Sequence, residues 1–321
     1  MVKNNKKVYI LVVLLLGLWL FFDLASHLAV EILWFEEVGY LREFWLRLVT
    51  RLGLWAIAFF TSAGFLLSNF IVASRLKHLT PTPSVQVQRI TPGGVRSDMI
   101  YEHQAALKSG VRLGLLLPVV IALSAVVGLI LIYYSQQALD FWHPDIKLPT
   151  TSLSLPPWLK QVSQQVQMQQ IGIPIVQLGL LLVLSVAILI DHEFCLRAIA
   201  LLVSLLFGFL LSAHWDQVLQ YFHVTSFNQT EPLFHQDISF YIFSLPIWEL
   251  LAFWLVGLFL FGVAAVALIY LRSANSLSEG RFAGFSIAQR LHLNALSSFF
   301  MLAVALHYCL ARYKLLYSTR G

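Results

Sequence analysis

The stretch 173–213 reads IPIVQLGLLLVLSVAILI, then DHEFCLR, then AIALLVSLLFGFLLSA, so two apolar runs flank the seven residues Asp191 to Arg197. Each run approaches the ~20 residues that an α-helix needs to cross ~30 Å of hydrocarbon. A connection as short as Asp191-His-Glu-Phe-Cys-Leu-Arg197 allows only a tight reversal. The two helices are therefore predicted to be antiparallel neighbours with lipid as their solvent.

The same pattern repeats outward in both directions. Candidate spans run from Val8 to about His27, Leu52 to Ala73, Leu113 to Tyr134, Ile173 to Ile190, Cys195 to Ala213, Ile247 to Leu271 and Ala295 to Ala311, seven in all. Composition agrees: 59% of residues are hydrophobic, 12% are charged and the mean hydropathy is +0.77, whereas soluble domains carry about 25% charge. One helical bundle is a simpler account of the 321 residues than two soluble domains. The formal net charge of +5 is spread over the connections, not gathered on one soluble face, so it reads as membrane topology and not as a nucleic-acid surface. Two cysteines are too few for a disulfide framework, and Cys195 and Cys309 fall near opposite ends of the bundle.

Lys3, Lys6 and Lys7 precede the first apolar run, as in a secretory signal peptide, but Asp23-Leu-Ala-Ser-His27 has no small-x-small cleavage pattern. The run is read as an uncleaved first helix. Orientation follows from Lys and Arg in the connections. With the N-terminus cytoplasmic, thirteen of the 21 basic residues fall inside, six of them between Arg75 and Arg112, and eight fall outside. The connection from His214 to Pro246 has none. Seven spans then export the C-terminus.

Between the spans, Thr80-Pro-Thr-Pro-Ser84 and Thr91-Pro-Gly-Gly94 make 74–112 an extended cytoplasmic loop with one short helix near Ile100 to Lys108. The outer connections are 28–51, 135–172 and 214–246; in the second, Val162 and Val166 fit a short helix lying on the membrane surface. Aromatic residues cluster at span ends, among them Trp34, Tyr40, Tyr133, Tyr134, Trp248 and Tyr313, where amphipathic rings suit the headgroup level. Gly64 and Ser68 in the second span, and Gly257, Gly262, Ala264 and Ala265 in the sixth, read as small-residue helix-packing faces.

Chemistry-bearing residues are sparse. The outer connection holds His214, Asp216, His223, Glu231, His235 and Asp237; four of them, His214, Asp216, His235 and Asp237, would make a membrane enzyme's metal centre if they converged. Their spacing is loose, and polar residues belong there because the connection meets water. His307 is the clearest ionisable residue within a span. A haem would need a second histidine at the same depth; His27 is placed at a helix end and His292 outside the seventh span, so hydrogen bonding to a neighbouring helix or to the interface is the simpler reading. No Lys, Arg, Asp or Glu lies deep in a span. Phosphate loops, a nucleophile elbow and CxxC pairs are absent, so no catalytic, cofactor or metal residue is nominated and the chain is not read as an enzyme.

Three segments, Leu33-Trp-Phe-Glu-Glu-Val-Gly-Tyr40, Glu231-Pro-Leu-Phe-His-Gln-Asp-Ile-Ser-Phe-Tyr-Ile-Phe-Ser-Leu-Pro246 and Arg312-Tyr-Lys-Leu-Leu-Tyr-Ser-Thr-Arg-Gly321, resemble a large family of bacterial multi-pass membrane proteins, uncharacterised protein family number 0182. The detail resembles its cyanobacterial members most. The resemblance implies a seven-span membrane half followed by a large extracytoplasmic region, which would be missing after Gly321. It lends no catalytic residues, because the family's activity is not established. Physically, Pro246 suits the first turn of the sixth helix, Asp237 suits a cap or a partner for Arg312 or Arg320, and the two outer segments together suit a structural clasp.

These readings give an all-α, polytopic helical bundle of a bacterial cell membrane, acting as an anchor or scaffold for other envelope components. The rival is a transporter or channel for a small solute or ion, which requires a polar cavity at mid-membrane depth.

Overall fold

In the computed structural model, residues 2–77, 111–142, 175–273, 281–282 and 284–315 are described. They form α1 (Val2–Glu37), α2 (Leu41–Leu76), β1 (Val111–Arg112), α3 (Leu113–Trp142), α4 (Ile175–Ile190), α5 (His192–Ala213), α6 (Trp215–Phe222), a π-helical turn (Phe240–Ser244), α7 (Leu245–Ser273), β2 (Arg281–Phe282) and α8 (Ile287–Lys314). The short helices expected near Ile100 to Lys108 and around Val162 lie outside the described residues, as does Arg320. The helical architecture is as expected, with one addition: β1 and β2 pair antiparallel, Val111 opposite Phe282 and Arg112 opposite Arg281.

Five of these helices are long and apolar enough to cross a membrane: α2, α3 over Leu117–Ala138, α5, the stretch Phe240–Arg272 and α8. Gln177–Ile190 of α4 is apolar but shorter. The chain divides into two compact units, Met1–Gly53 and Leu54–Gly321.

The first unit holds α1 and the start of α2. Residues 28–51, expected as a connection, are helical except for the turn Val38–Tyr40. The reason is local. Gly39, at φ +80°, closes α1 in the left-handed conformation that glycine adopts without strain. Its N–H donates to the Glu36 carbonyl (3.1 Å), and Tyr40 N–H donates to the Phe35 carbonyl (2.9 Å); together they satisfy two carbonyls that a helix end leaves open. Across the turn, Phe44 is buried against Phe35, with ring centroids 5.4 Å apart, and Arg47 donates to Glu31 Oε2 at 2.9 Å. Hydropathy registers only the lipid-length part of a helix, so these polar extensions are invisible to it.

In the second unit α7 is the central helix: 56% of its apolar window is buried, against 17% for α8, which packs on its outside. Phe70, Val127, Ile188, Phe207, Phe261 and Tyr270 share one apolar core. α4 and α5 meet through the single residue Asp191, whose carboxylate caps α5 by accepting from Phe194 N–H at 3.2 Å. The predicted reversal is therefore tighter than expected. Ser286 and Gln289 form a reciprocal capping box that opens α8, and Gln289 Nε2 donates to the last-turn carbonyl of Leu76 at 2.9 Å.

The small-residue faces divide in two. In α7, Gly257 lies directly under the Tyr134 ring, and Tyr134 Oη donates to the Phe253 carbonyl at 3.0 Å. Tyr134 is thus a core residue, not an interface ring as expected; Tyr133 beside it is exposed. Gly64 and Ser68 are exposed, and a Cβ on Gly64 would meet nothing within 4 Å, so among the described residues nothing packs on that face. In α5, by contrast, a Cβ on Gly208 would lie 3.0 Å from the Trp55 carbonyl oxygen.

Candidate functional site

Two carboxylates organise the segment that leads into α7. Asp237 accepts from Ser226 Oγ (2.6 Å), Ser239 N–H (2.8 Å), Asn228 N–H (3.1 Å) and Phe227 N–H (3.3 Å). The Ser226 hydroxyl, followed by these backbone donors, holds its carboxyl well below the usual carboxylate range. Glu231 accepts from Leu233 N–H (2.6 Å), Phe234 N–H (2.7 Å) and the Tyr241 hydroxyl (3.3 Å). Desolvation works to raise its pKa, but these three donors together outweigh it and the net direction is down. An antiparallel bridge between Thr230 and Asp237 and left-handed backbone at Asn228 and His235 close the hairpin between them. The expectation of a cap at Asp237 holds; its lone pairs go to the chain itself.

Beyond this hairpin, Leu245 N–H reaches back five residues to the Phe240 carbonyl, widening the turn just before Pro246, which sits in the first turn of α7 as expected. Segment 231–246 and the described residues 312–315 do form a clasp, and its chemistry is aromatic instead of ionic. The Tyr313 ring meets Phe234, Phe240 and Tyr241 edge to face, with centroids 5.0, 5.2 and 6.1 Å apart. Arg312, expected to pair with Asp237, lies over the Phe234 and Tyr313 rings at 5.8 and 4.6 Å. With three ring pairs at roughly 0.5–1.5 kcal/mol each, less solvent exposure, Tyr313→Ala should cost about 2 kcal/mol. Thermal unfolding in detergent should record it; an unchanged midpoint would remove the clasp.

Beneath the clasp, at the end of the bundle where α3, α5 and α8 finish and α7 begins, lies a cavity of about 440 Å³. Gln137, His214, Gln217, Glu249, His307 and Lys314 supply its polar wall, and Leu210, Leu250, Phe253 and Leu310 line it with apolar surface. Lys314 Nζ sits 3.0 Å from Glu249 Oε2, while Glu249 Oε1 is enclosed with no hydrogen-bond partner among the described residues. His214 Nδ1 lies 2.8 Å from the Leu210 carbonyl, which can only accept, so the proton belongs on Nδ1. His307, read as bonding to a neighbouring helix or to the interface, is exposed and lines this cavity.

The opposite end carries Lys77, Arg197 and Arg272. Lys77 pairs with Glu193, Arg197 reaches Glu193 at 3.3 Å, and Arg272 donates to the Ile188 and Leu189 carbonyls that close α4. A positive side chain on the last carbonyls of a helix complements its dipole. Nearby, His292 lies within the second turn of α8, not outside the last span as expected. Its Nε2 contacts Asn69 Oδ1 at 2.9 Å and its Nδ1 contacts the Tyr270 hydroxyl at 2.6 Å. Because the Asn69 amide nitrogen donates to the Phe65 carbonyl (2.7 Å), its oxygen must accept. His292 therefore donates from Nε2 and receives the tyrosine proton at Nδ1, and α2, α7 and α8 are tied through one polar chain.

Among the described residues no three His, Cys, Asp or Glu side chains gather closely enough to hold a metal ion. His214 belongs to the cavity, Asp216 is exposed on α6, His235 is exposed in the hairpin and Asp237 is saturated by its own loop. The four do not converge.

The fold thus defines a helical protein with apolar helices compatible with a membrane. The chain belongs to the uncharacterised protein family UPF0182, whose family model matches residues 8–321. It is similar to a UPF0182 protein of Nostoc sp. (strain PCC 7120), with 43% identity over 321 residues, covering 96% of this chain and 32% of the relative. A UPF0182 protein of Trichodesmium erythraeum is 37% identical over 326 residues (99% and 32%), and one of Synechocystis sp. (strain PCC 6803) is 32% identical over 330 residues (98% and 31%). The chain spans about a third of the length of these curated relatives. No solved structure matches it.

Proposed function

We propose that this chain is a seven-span domain of a bacterial cell membrane, N-terminus cytoplasmic and C-terminus exported, that anchors or positions envelope components. The seven are α1, α2, α3, α4, α5, α7 and α8. The observation that carries the anchoring role is the largely apolar interior: buried Leu, Phe, Val, Ala and Ile fill the second unit, and among its buried serines Ser124 and Ser204 bond to carbonyls of their own helices while Ser62 accepts from Trp254 Nε1. No Lys, Arg, Asp or Glu interrupts Leu52–Ser74, Ala198–Ala213 or Leu250–Leu271, whereas a charge pathway would need them there. The basic end of the bundle, with Lys77, Arg197 and Arg272, supports the cytoplasmic assignment.

The rival transporter reading has one observation in its favour, the cavity onto which His307 opens, but that cavity lies at a bundle end and not at mid-depth. Two measurements test the proposal. In cells producing the full chain with Cys195 and Cys309 changed to Ser, Gln229→Cys should react with an impermeant maleimide from outside, and Ser97→Cys only after permeabilisation. The same chain in liposomes should leave glucose, amino-acid and K⁺ leak at the lipid baseline. Reversed labelling overturns the topology, and saturable flux overturns the anchor.

A further inference from the structure

The hairpin outside α7 has its polar and apolar parts the wrong way round for water. Its two carboxylates, Asp237 and Glu231, are turned on their own segment, accepting from the Ser226 and Tyr241 hydroxyls and from the N–H groups of Phe227, Asn228, Leu233, Phe234 and Ser239. The large apolar side chains are the ones left uncovered: Phe222 is 73% exposed, and Val224, Phe227 and Leu233 are exposed as well. A loop in water can leave its carboxylates to the solvent and gains by hiding phenylalanine. A loop against lipid must satisfy its carboxylates from within and loses nothing by exposing phenylalanine.

Placement in the fold agrees. α5 is of membrane length, and only His214 separates its last residue, Ala213, from α6. Trp215, Val218, Leu219 and Phe222 recur at i, i+3, i+4 and i+7 of α6 and form one apolar stripe, whereas Asp216 and Gln220 are exposed polar positions. α6 packs against the π-helical turn and α7. Phe227 then stacks on Phe243, with centroids 6.3 Å apart, and Phe243 belongs to the apolar stretch Phe240–Arg272. The hairpin therefore folds back on the outer end of that stretch, where Ile242 and Trp248 are also exposed.

We propose that α6 and the hairpin after it dock on the lipid surface, lying in the headgroup layer of the outer leaflet with Phe222, Val224 and Phe227 against the acyl-chain boundary. This inference rests on the seven-span reading and adds to it a second, surface-lying contact with the bilayer. The exposed amides of Asn228, Gln229 and Gln236 suit the hydrated side of the same layer. From His214 to Pro246 there is no Lys or Arg to seek an anionic headgroup. The contact therefore depends on apolar area and not on lipid charge.

The test uses the full chain in phosphatidylcholine nanodiscs, with Cys195 and Cys309 changed to Ser and a nitrobenzoxadiazole fluorophore attached at Phe222→Cys, Phe227→Cys, Asp216→Cys or Leu302→Cys. Leu302 is exposed near the middle of α8 and reports on the bilayer itself. A phosphatidylcholine with a nitroxide near its headgroup should quench the probes at 222 and 227 several-fold more than the probe at 216, which aqueous iodide should quench instead. Doping with phosphatidylglycerol should leave the lipid quenching unchanged. Iodide quenching at 222 and 227 beside lipid quenching at 302 overturns this proposal alone, whereas iodide quenching at 302 overturns the membrane reading beneath it. Lipid quenching that appears only with phosphatidylglycerol also overturns the proposal. Because Phe227→Cys removes the stack on Phe243, the unsubstituted chain supplies a second measurement. A phosphatidylcholine carrying a diazirine high on its acyl chain should crosslink, on illumination, to the peptide holding residues 222–227, and labelling confined to the spans overturns the docking.

Discussion

Gly257→Ala is expected to destabilise the bundle by about 2 kcal/mol, although alanine is the better helix former. A Cβ at this position would fall inside the Tyr134 ring and hydroxyl. Overpacking of this kind costs roughly 1–3 kcal/mol and the Tyr134 hydrogen bond to Phe253 adds about 1, while helix propensity returns about 1. Unfolding in mixed micelles measures the loss. The decisive comparison is the background: with Tyr134→Ala already present, the obstructing ring is gone and the glycine change should stabilise by up to about 1 kcal/mol through helix propensity alone. An equal cost in both backgrounds would show that α3 and α7 do not meet in this way.

The second large effect is expected at Asp237. Its carboxylate gathers four donors, three of them backbone N–H groups of the same loop, and no neutral side chain can accept all four. Asp237→Asn should therefore raise amide exchange across Phe227 to Ser239 on the order of tenfold while leaving α7 protected. The pH dependence follows the same charge. A carboxyl whose pKa is depressed in the folded state contributes stability above its unfolded value of ~3.9, and loses it only as pH falls through the lower folded value. The hairpin should stay closed at pH 4 and open only under stronger acid, and the Asn variant should lose that transition. A wild-type hairpin that opens near pH 5 would remove Asp237 as its organiser.

Both effects rest on features that sequence patterns express poorly. The reversal at Asp191 and the entry of α7 at Pro246 are legible because apolar runs and proline are local signals. Tyr134 and Gly257 lie 123 positions apart, and nothing in either helix alone says that one supplies the gap for the other's ring. Asp237 is legible as a cap, but its partners at Ser226 to Asn228 come from a hairpin whose left-handed residues are Asn228 and His235, not glycine. For Arg312, opposite charge suggests an ion pair, whereas the backbone has already satisfied the carboxylate and leaves aromatic faces as the cation's surface. The cavity is the least legible feature, assembled from α3, α5, α6, α7 and α8 by residues that read separately as span or connection positions, His307 among the former and Gln137 and Gln217 among the latter.

The turn at Gly39 has a mechanical meaning under the seven-span reading. Each helix it joins has 36 residues, about 54 Å of rod against ~30 Å of hydrocarbon, so about 24 Å of each lies beyond the lipid tails. Next to the turn, the Phe35–Phe44 contact and the Glu31–Arg47 pair hold the two helix ends of the first unit together, so under that reading the excess length at this end would project from the membrane as a braced hairpin and not as a loose loop.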